Sequence, residues 1–243
     1  MATSANRPPP NHLLASLPAA DFDRLSSTLD VIPLKLKTIL HKPGAKVEHV
    51  YFPGGGFLSV LTVLEDGGRV EVATIGREGV AGLPAAMDGG DPSPSETLVQ
   101  AEMDVCYRMS RTDFRREMDR RGPFYDLIAK YVHAFYGAVA QSTACNAVHS
   151  VEQRLARWLL MAHDRVGRND FPLTQEFVAM MLGATRPTVT VVAGTLQRAG
   201  LITYHRGHVT IVDREKLESA SCECYGVTTA LLNRVTNRAP KDR

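Results

Sequence analysis

The sequence predicts an α+β protein: an N-terminal β-barrel or jelly roll, one long helix, and a C-terminal winged helix-turn-helix. Three observations carry this. Between Asp30 and Met109, short apolar runs alternate with Gly, Pro and Asp turns, the texture of a small all-β unit. From Pro123 to about Ala147 the pattern is helical and unbroken. From Leu173 to Val212 a helix, a tight turn, a second helix and a hairpin follow one another. The expected divisions are a disordered tail over 1–11, a barrel unit over 12–122, a dimerisation helix over 123–147, a helix-turn-helix unit over 148–220 and a tail over 221–243.

The first eleven residues are small and polar and end in three prolines, so they predict disorder. Leu13, Leu14, Leu17, Phe22, Leu25 and Leu29 then recur at helical intervals, interrupted by Pro18. Strands are expected at 30–36, 50–52, 57–64, 69–75, 97–101 and 104–108. The turns between them are Lys42–Ala45, Pro53–Gly56, Glu65–Gly68 and Met87–Gly90. A short charged helix is expected at 112–120. In the long helix, Phe124, Leu127, Ile128, Tyr131, Phe135, Ala138, Val139 and Ser142 form a stripe. That stripe fits a core helix or a helix packed on its own copy; the module downstream favours the copy, because two modules read two half-sites. A helix at 148–166 places Val151, Leu155, Trp158, Leu159 and Ala162 inward, and 167–170 reads as a loop.

In the C-terminal module, Thr174 caps a helix over 175–182, Gly183 turns the chain, and Thr185 caps a second helix over 186–199 that Gly200 stops. Val178, Leu182, Val189, Val192 and Leu196 are the inward residues. Residues 201–212 alternate on both sides of Arg206-Gly207, a hairpin signature. A short helix is expected at 213–220. Helix, turn, helix and hairpin in that order form a module that reads double-stranded DNA.

The charge distribution agrees. The net charge is only +2. From Asn146 onward there are 13 Lys+Arg against 9 Asp+Glu, and before it 15 against 17, so the basic excess lies in the half that would face phosphates. Apolar content of 44% and charged content of 22% are those of a globular protein. No apolar run approaches bilayer length and no hydrophobic leader opens the chain, so a cytoplasmic location without membrane contact is expected. Four scattered cysteines are no disulfide framework.

Together these features resemble the Crp/Fnr family of bacterial transcription regulators. The most specific stretch is Leu173–Val192, where Thr174, Gly183, Thr185 and Arg186 match the family pattern. The Pro43-Gly44 turn, Val50-Tyr-Phe52 and Gly76-Arg-Glu-Gly79 are looser matches. The resemblance implies an effector domain of cyclic-nucleotide-binding shape, a homodimer and a palindromic operator, with RNA polymerase as a further partner of such regulators. It also places 186–199 in the major groove. Arg186 is then the expected base reader, through guanine O6 and N7. Pro187 and Val191 stand where cyclic-AMP-responsive members carry Glu and Arg. Val191 and Thr190 offer methyl contacts to thymine, Gln197 lies on the same outward face, and Thr174, Thr185, Thr188 and Arg206 are expected on phosphates.

The sensor cassette departs from the family. Its counterpart here is Gly79, Gly82 and Leu83, then Ser95, Glu96 and Thr97. Leu83 replaces the ribose-binding Glu, and no Arg lies between Arg77 and Arg108 to grip a cyclic phosphate. These six residues are the expected effector pocket, for an effector other than cyclic AMP held in the usual way. The family's iron–sulfur variant needs N-terminal cysteines, and none precedes Cys106. A haem-responsive regulator remains an alternative through His41, His49 or His133, as does a regulator answering another small ligand. A metal-dependent barrel enzyme is the more distant one: His41 and His49 merely flank a turn, and there is no nucleophile elbow. No catalytic residue and no cofactor are expected. Cys222-Glu-Cys224 is expected as unpaired thiols, because two thiols need a second pair to complete a metal site.

Overall fold

The structure is a computed structural model that describes residues 8–87 and 92–237. The expected tail residues 1–7 and 238–243, and the Met87–Gly90 turn from Asp88 on, lie outside the described residues. Of the expected disordered tail, the described end is not loose. Asn11 is fully buried. Its side chain caps α1 (His12–Ala15) through the Leu14 N–H and donates to the carbonyls of Pro53 and Gly79. A polar residue read as solvated is in fact satisfied inside. α2 (Ala19–Ser26) starts directly after Pro18.

The β unit is two facing antiparallel sheets. One holds β1 (Leu29–Leu34), β7 (Met103–Ser110) and β3 (His49–Pro53), with β7 central. The other runs β2 (Ile39–His41), β6 (Glu96–Ala101), β4 (Phe57–Val63) and β5 (Arg69–Ile75). Leu34 and Cys106 from the first sheet meet Leu58, Ile75 and Val99 from the second, as alternation on each strand requires. The run expected over 30–36 ends at Leu34, because Lys37 takes a left-handed backbone (φ 65°) and turns the chain into β2. Only three residues long, β2 carries too little alternation to show in the sequence. α3 (Leu83–Met87) crosses between the sheets' ends and α4 (Arg111–Asp119) follows β7.

α5 (Pro123–Val148) opens with Pro at its first turn, where a missing N–H costs little. Its stripe corrects the expectation of a dimer contact. Phe124, Leu127, Ile128 and Tyr131 are buried against β3, α1, α3 and α4 of the same chain, Ala138 is also buried, and Phe135 is half-buried beside both barrel-side cores. The aromatic face is core, and the free face is another one: Ala129, Val132, Tyr136, Ala140, Thr143 and Ala147 are exposed.

α6 (Val151–Val166) does not begin at 148. His149 breaks the helix, and a Ser150–Gln153 capping box starts the next. The loop expected at 167–170 runs to Asn169, and β8 (Asp170–Pro172), which was not expected, follows it and pairs with the hairpin of β9 (Ile202–His205) and β10 (His208–Ile211). α7 (Gln175–Leu182), α8 (Arg186–Arg198) and α9 (Arg214–Ala220) complete the module. The chain then forms α10 (Cys224–Val235) instead of the expected tail. Leu232 and Val235 join the core containing Phe124 and Ile128. Tyr225 Oη donates to Asp164 and accepts from Arg214, each at 2.7 Å, which fastens α10 to α6. With no side-chain cap and only three turns, this helix gives a weak local signal.

The two halves are clamped together. The Gly76–Gly79 turn presents Glu78 to Arg165 of α6, with guanidinium–carboxylate distances of 2.6 and 2.9 Å. Both side chains are largely out of water. Burial pushes the Glu78 carboxyl up, but the Arg165 charge and hydrogen bonds outweigh it, so its pKa is lowered overall. Removing one member of a buried pair strands the other charge. Arg165→Met is therefore expected to cost about 3–5 kcal/mol in urea unfolding, and the Glu78→Gln/Arg165→Met double variant less than either single one.

Candidate nucleic-acid interface

The axes of α7 and α8 meet at 102°, the steep crossing of a helix-turn-helix. The turn works because Gly183 adopts a left-handed backbone, φ 55°. Thr174 Oγ1 accepts from the Phe177 N–H, and Thr185 Oγ1 from the Thr188 N–H. Val178, Leu182, Val189 and Leu196 face the core as expected, but Ala193 takes the place given to Val192, which is half-buried. Val192 and Ala193 lie on either side of the Val189–Leu196 line at similar angles, so spacing alone does not choose between them.

Arg186, Pro187, Thr190, Val191 and Gln197 are all exposed on the opposite face, Val191 to 66%. Several are already engaged. Arg186 pairs with Glu176 of α7 at 2.9 Å, both side chains more than half exposed. Such a pair contributes little and opens readily. Thr190 Oγ1 donates to Gln175 Oε1. The Gln197 carbonyl oxygen accepts the Tyr204 N–H at 2.6 Å, so it locks the wing to α8. Tyr204 Oη in turn donates to the Leu173 carbonyl. Thr188 is half-buried and shares a hydroxyl contact with Thr185 at 2.8 Å. Arg206 stands at the wing tip with φ 47°, followed by Gly207 at 79°, the two left-handed residues of a type I′ turn. Sequence reasoning missed Gln175 and Glu176. They follow the Thr174 cap directly, and the steep crossing places that end of α7 beside the start of α8.

The expected effector residues are engaged by the protein's own packing and pairing. Leu83 packs into the core beneath α5. A side chain on Gly79 would meet Tyr131 Oη at 2.4 Å, and one on Gly82 (φ 92°) would meet His41 at 3.0 Å. His41 is buried, bonded to the His49 carbonyl, and edge-on to Tyr51. Glu96 is buried and paired with Arg69 at 3.3 Å, while Thr97 stands opposite His41 in the β2–β6 pairing. The Ser95 carbonyl accepts the Ser93 hydroxyl. A carboxylate thus sits where a phosphate grip is expected.

Two further constellations were not legible. Under α7, Glu71 of β5 accepts from Trp158 Nε1 at 2.8 Å and shares a cavity of about 20 Å³ with Thr74, Arg157 and Met181. Burial pushes the Glu71 pKa up to about 7, against opposing hydrogen bonds from Ser59 and Trp158. At the end of α5, Cys145 and His149 supply the second pair thought missing beside Cys222 and Cys224. They lie one helical turn apart, with Cys145 77 residues from Cys222 and His149 75 from Cys224, so no local spacing announces them.

A β-sandwich sensor, a long helix and a winged helix-turn-helix with an exposed second helix define a one-chain transcription regulator. Residues 31–121 match the cyclic nucleotide-binding domain, and residues 153–220 match the Crp-like helix-turn-helix domain. The chain belongs to the Crp/Fnr family of transcription regulators. No curated protein sequence matches it. Among solved structures it is similar to a Crp/Fnr-family transcriptional regulator from Eubacterium rectale, at 21% identity over 86% of this chain and 96% of that one, TM-score 0.67. It is also similar to a CRP-family regulator from Thermus thermophilus, at 19% identity over 78% and 95%, TM-score 0.64. A third is the c-di-GMP-responsive regulator CLP of Xanthomonas campestris, at 14% identity over 81% and 100%, TM-score 0.63. Among the described residues no single helix is long and apolar enough to cross a membrane.

The Glu71 environment gives a pH signature. Its folded pKa of about 7 lies above the ordinary value of 4.5. Between those values the unfolded chain ionises while the folded chain keeps its proton, so stability falls as pH rises across that window. Glu71→Gln is expected to flatten this limb and to be more stable above pH 7, by up to about 3 kcal/mol, in urea melts at pH 4.5 and 8. Equal shifts at both pH values would remove the assignment.

Proposed function

We propose that the chain acts as a homodimer that reads a two-half-site operator, with α8 in the major groove and the wing on the backbone. The observation that carries this is the outward face of α8: an Arg at its start and a run of small or apolar residues behind it, exposed while the rest of the module is packed. Arg186 is the base reader, released from Glu176 when the guanidinium meets guanine. Val191 and Thr190 offer methyls. Thr174, Thr185, Thr188 and Arg206 position the module on phosphates. Gln197 acts mainly through the wing it holds.

The dimer contact in this reading is the face of α5 that the chain leaves open, centred on Tyr136, which is 74% exposed, with Val132, Ala140 and Ala147 along it. Small residues beside one aromatic let two helices approach closely. The two recognition helices of such a dimer address half-sites about 34 Å apart. The effector in this reading is not a cyclic nucleotide held by the family's grips: Leu83 is in the core, and the nearby guanidinium of Arg69 is already engaged by the buried Glu96.

Selection from a random DNA pool is expected to return a palindrome with half-sites one helical turn apart. Arg186→Ala should cost about 1–3 kcal/mol and relax one position per half-site, whereas Arg206→Ala should weaken all sequences alike and reduce the salt slope. Unchanged base preference in Arg186→Ala would refute the docking. Tyr136→Glu is expected to give monomers in light scattering, with the circular dichroism of the wild type, and operator affinity reduced by at least tenfold. A dimer that survives that change would place the interface elsewhere.

A further inference from the structure

The last turn of α5 and the segment entering α10 bring together Cys145, His149, Cys222 and Cys224, their donor atoms all within 4.8 Å of one another. Cys145 Sγ and Cys222 Sγ are 3.5 Å apart, and Cys224 Sγ and His149 Nδ1 3.6 Å. All three cysteines are buried, and they form a patch of their own apart from the apolar cores. Packing alone does not explain the arrangement. Buried thiols that merely fill space have no need of an imidazole aimed among them, or of a carboxylate behind it.

We propose that Cys145, Cys222, Cys224 and His149 Nδ1 bind one thiophilic divalent cation of the zinc class. The distances suit it. Bonds of about 2.3 Å to sulfur and about 2.0 Å to nitrogen, at tetrahedral angles, set donor atoms roughly 3.5–3.8 Å apart. The Cys145–Cys222 and Cys224–His149 contacts have the length of such edges. An iron–sulfur cluster interposes iron and sulfide between its thiolates and holds them farther apart.

The surrounding residues are those that orient metal ligands. His149 Nε2 lies 3.2 Å from the Glu223 carboxylate, which leaves Nδ1 free to face the three sulfurs and holds the ring in that orientation. Gln141 Nε2 points at Cys224 Sγ from 3.0 Å. Arg157 is buried, its Nε has no hydrogen-bond partner among the described residues, and its charge acts on Cys145. Three thiolates and a neutral imidazole around a divalent ion carry one net negative charge, which Arg157 offsets. Binding releases three thiol protons to solvent and changes no oxidation state.

The position makes the ion a fastener. His149 is the residue between α5 and α6, and Cys222 and Cys224 lead into α10, which lies along α5. One cation therefore ties the end of the long helix to the segment that follows the DNA-reading module. Loading it should raise the stability of the α5–α10 packing and fix the hinge at His149–Ser150.

The test uses the full chain. Protein made in zinc-supplemented medium is expected to carry one zinc per chain by elemental analysis. After chelation, titration with Co2+ should give, at one equivalent, the intense visible and thiolate charge-transfer absorption of a tetrahedral sulfur-rich site. Cys145→Ser, Cys222→Ser and Cys224→Ser should each abolish that spectrum, while Cys106→Ser, in the barrel core, should keep it. Glu223→Gln changes a side chain that is 72% exposed and cannot fail for want of folding. It should keep the stoichiometry and weaken Co2+ binding about 10–100-fold. Absence of the cobalt spectrum in folded wild type, iron with acid-labile sulfide, or a Cys145–Cys222 disulfide as the stable state would each overturn the proposal. So would a Glu223→Gln variant of unchanged Co2+ affinity.

Discussion

The Glu78–Arg165 ion pair bridges the two domains beside an apolar seam in which Phe57 and Leu61 of β4 share a core with Leu155, Trp158 and Leu159 of α6. Glu78 sits on a turn of the sensor domain and Arg165 near the end of the first helix of the DNA-reading half. The glycines around Glu78 make the contact possible. A side chain on Gly76 would strike Arg165 Cδ at 2.7 Å, and one on Gly79 would strike Tyr131 Oη at 2.4 Å. The turn is therefore gripped from two sides, by α5 through Tyr131 and by α6 through Arg165. An ion pair this buried gains its strength from having no competing water, and loses more than its own energy when half of it is removed. Anything that moves this turn moves both helices.

That constraint explains why α5 shows apolar residues on more than one face. Its inner face must fill the space between the sandwich and α1, and takes Phe124, Ile128 and Tyr131 to do so. A second side is covered by α10, where Leu231 comes so near Gly137 that a side chain there would meet it at 3.3 Å, closer than ordinary contact. What remains outside is Val132, Tyr136 and the alanines. Periodicity shows that a helix is amphipathic, but not which partner each stripe meets. The DNA-reading module downstream drew the reading of that stripe towards a dimer seam, yet its large aromatics fill the core of their own chain.

Legibility followed the range of the interaction. The helix-turn-helix could be read residue by residue because its determinants are local: two Thr caps, a left-handed glycine and a helical apolar spacing, all within Thr174–Leu196. The longer strands β4 and β5 showed for the same reason. β2, β8 and α10 did not, since two are three-residue strands defined only by their neighbours, and α10 is a short uncapped helix held by Tyr225 and by α5. The candidate site divides likewise. The exposed face of α8 was visible in the sequence. The engagement of Gln197 by the wing was not, nor was the loss of Leu83 to the core, because each depends on which element folds over which.

The same reasoning bears on where a signal can enter. In the sensor domain the cassette positions are occupied by the protein itself: Tyr131 covers Gly79, His41 fills the space at Gly82, and Arg69 neutralises Glu96. A ligand there must displace packed and paired groups, at a cost its own contacts have to exceed. The underside of the helix-turn-helix is different. Glu71 Oε2, Thr74 Oγ1 and Arg157 Nε are buried there without a hydrogen-bond partner among the described residues, and unsatisfied groups in a low-dielectric site are the ones whose state is cheapest to change. Arg157 also links this junction to Cys145 at the end of α5. The polar seam between β5 and α6 is thus less fully satisfied than the cassette, and α6, which contributes Arg157 to it, leads into the DNA-reading module.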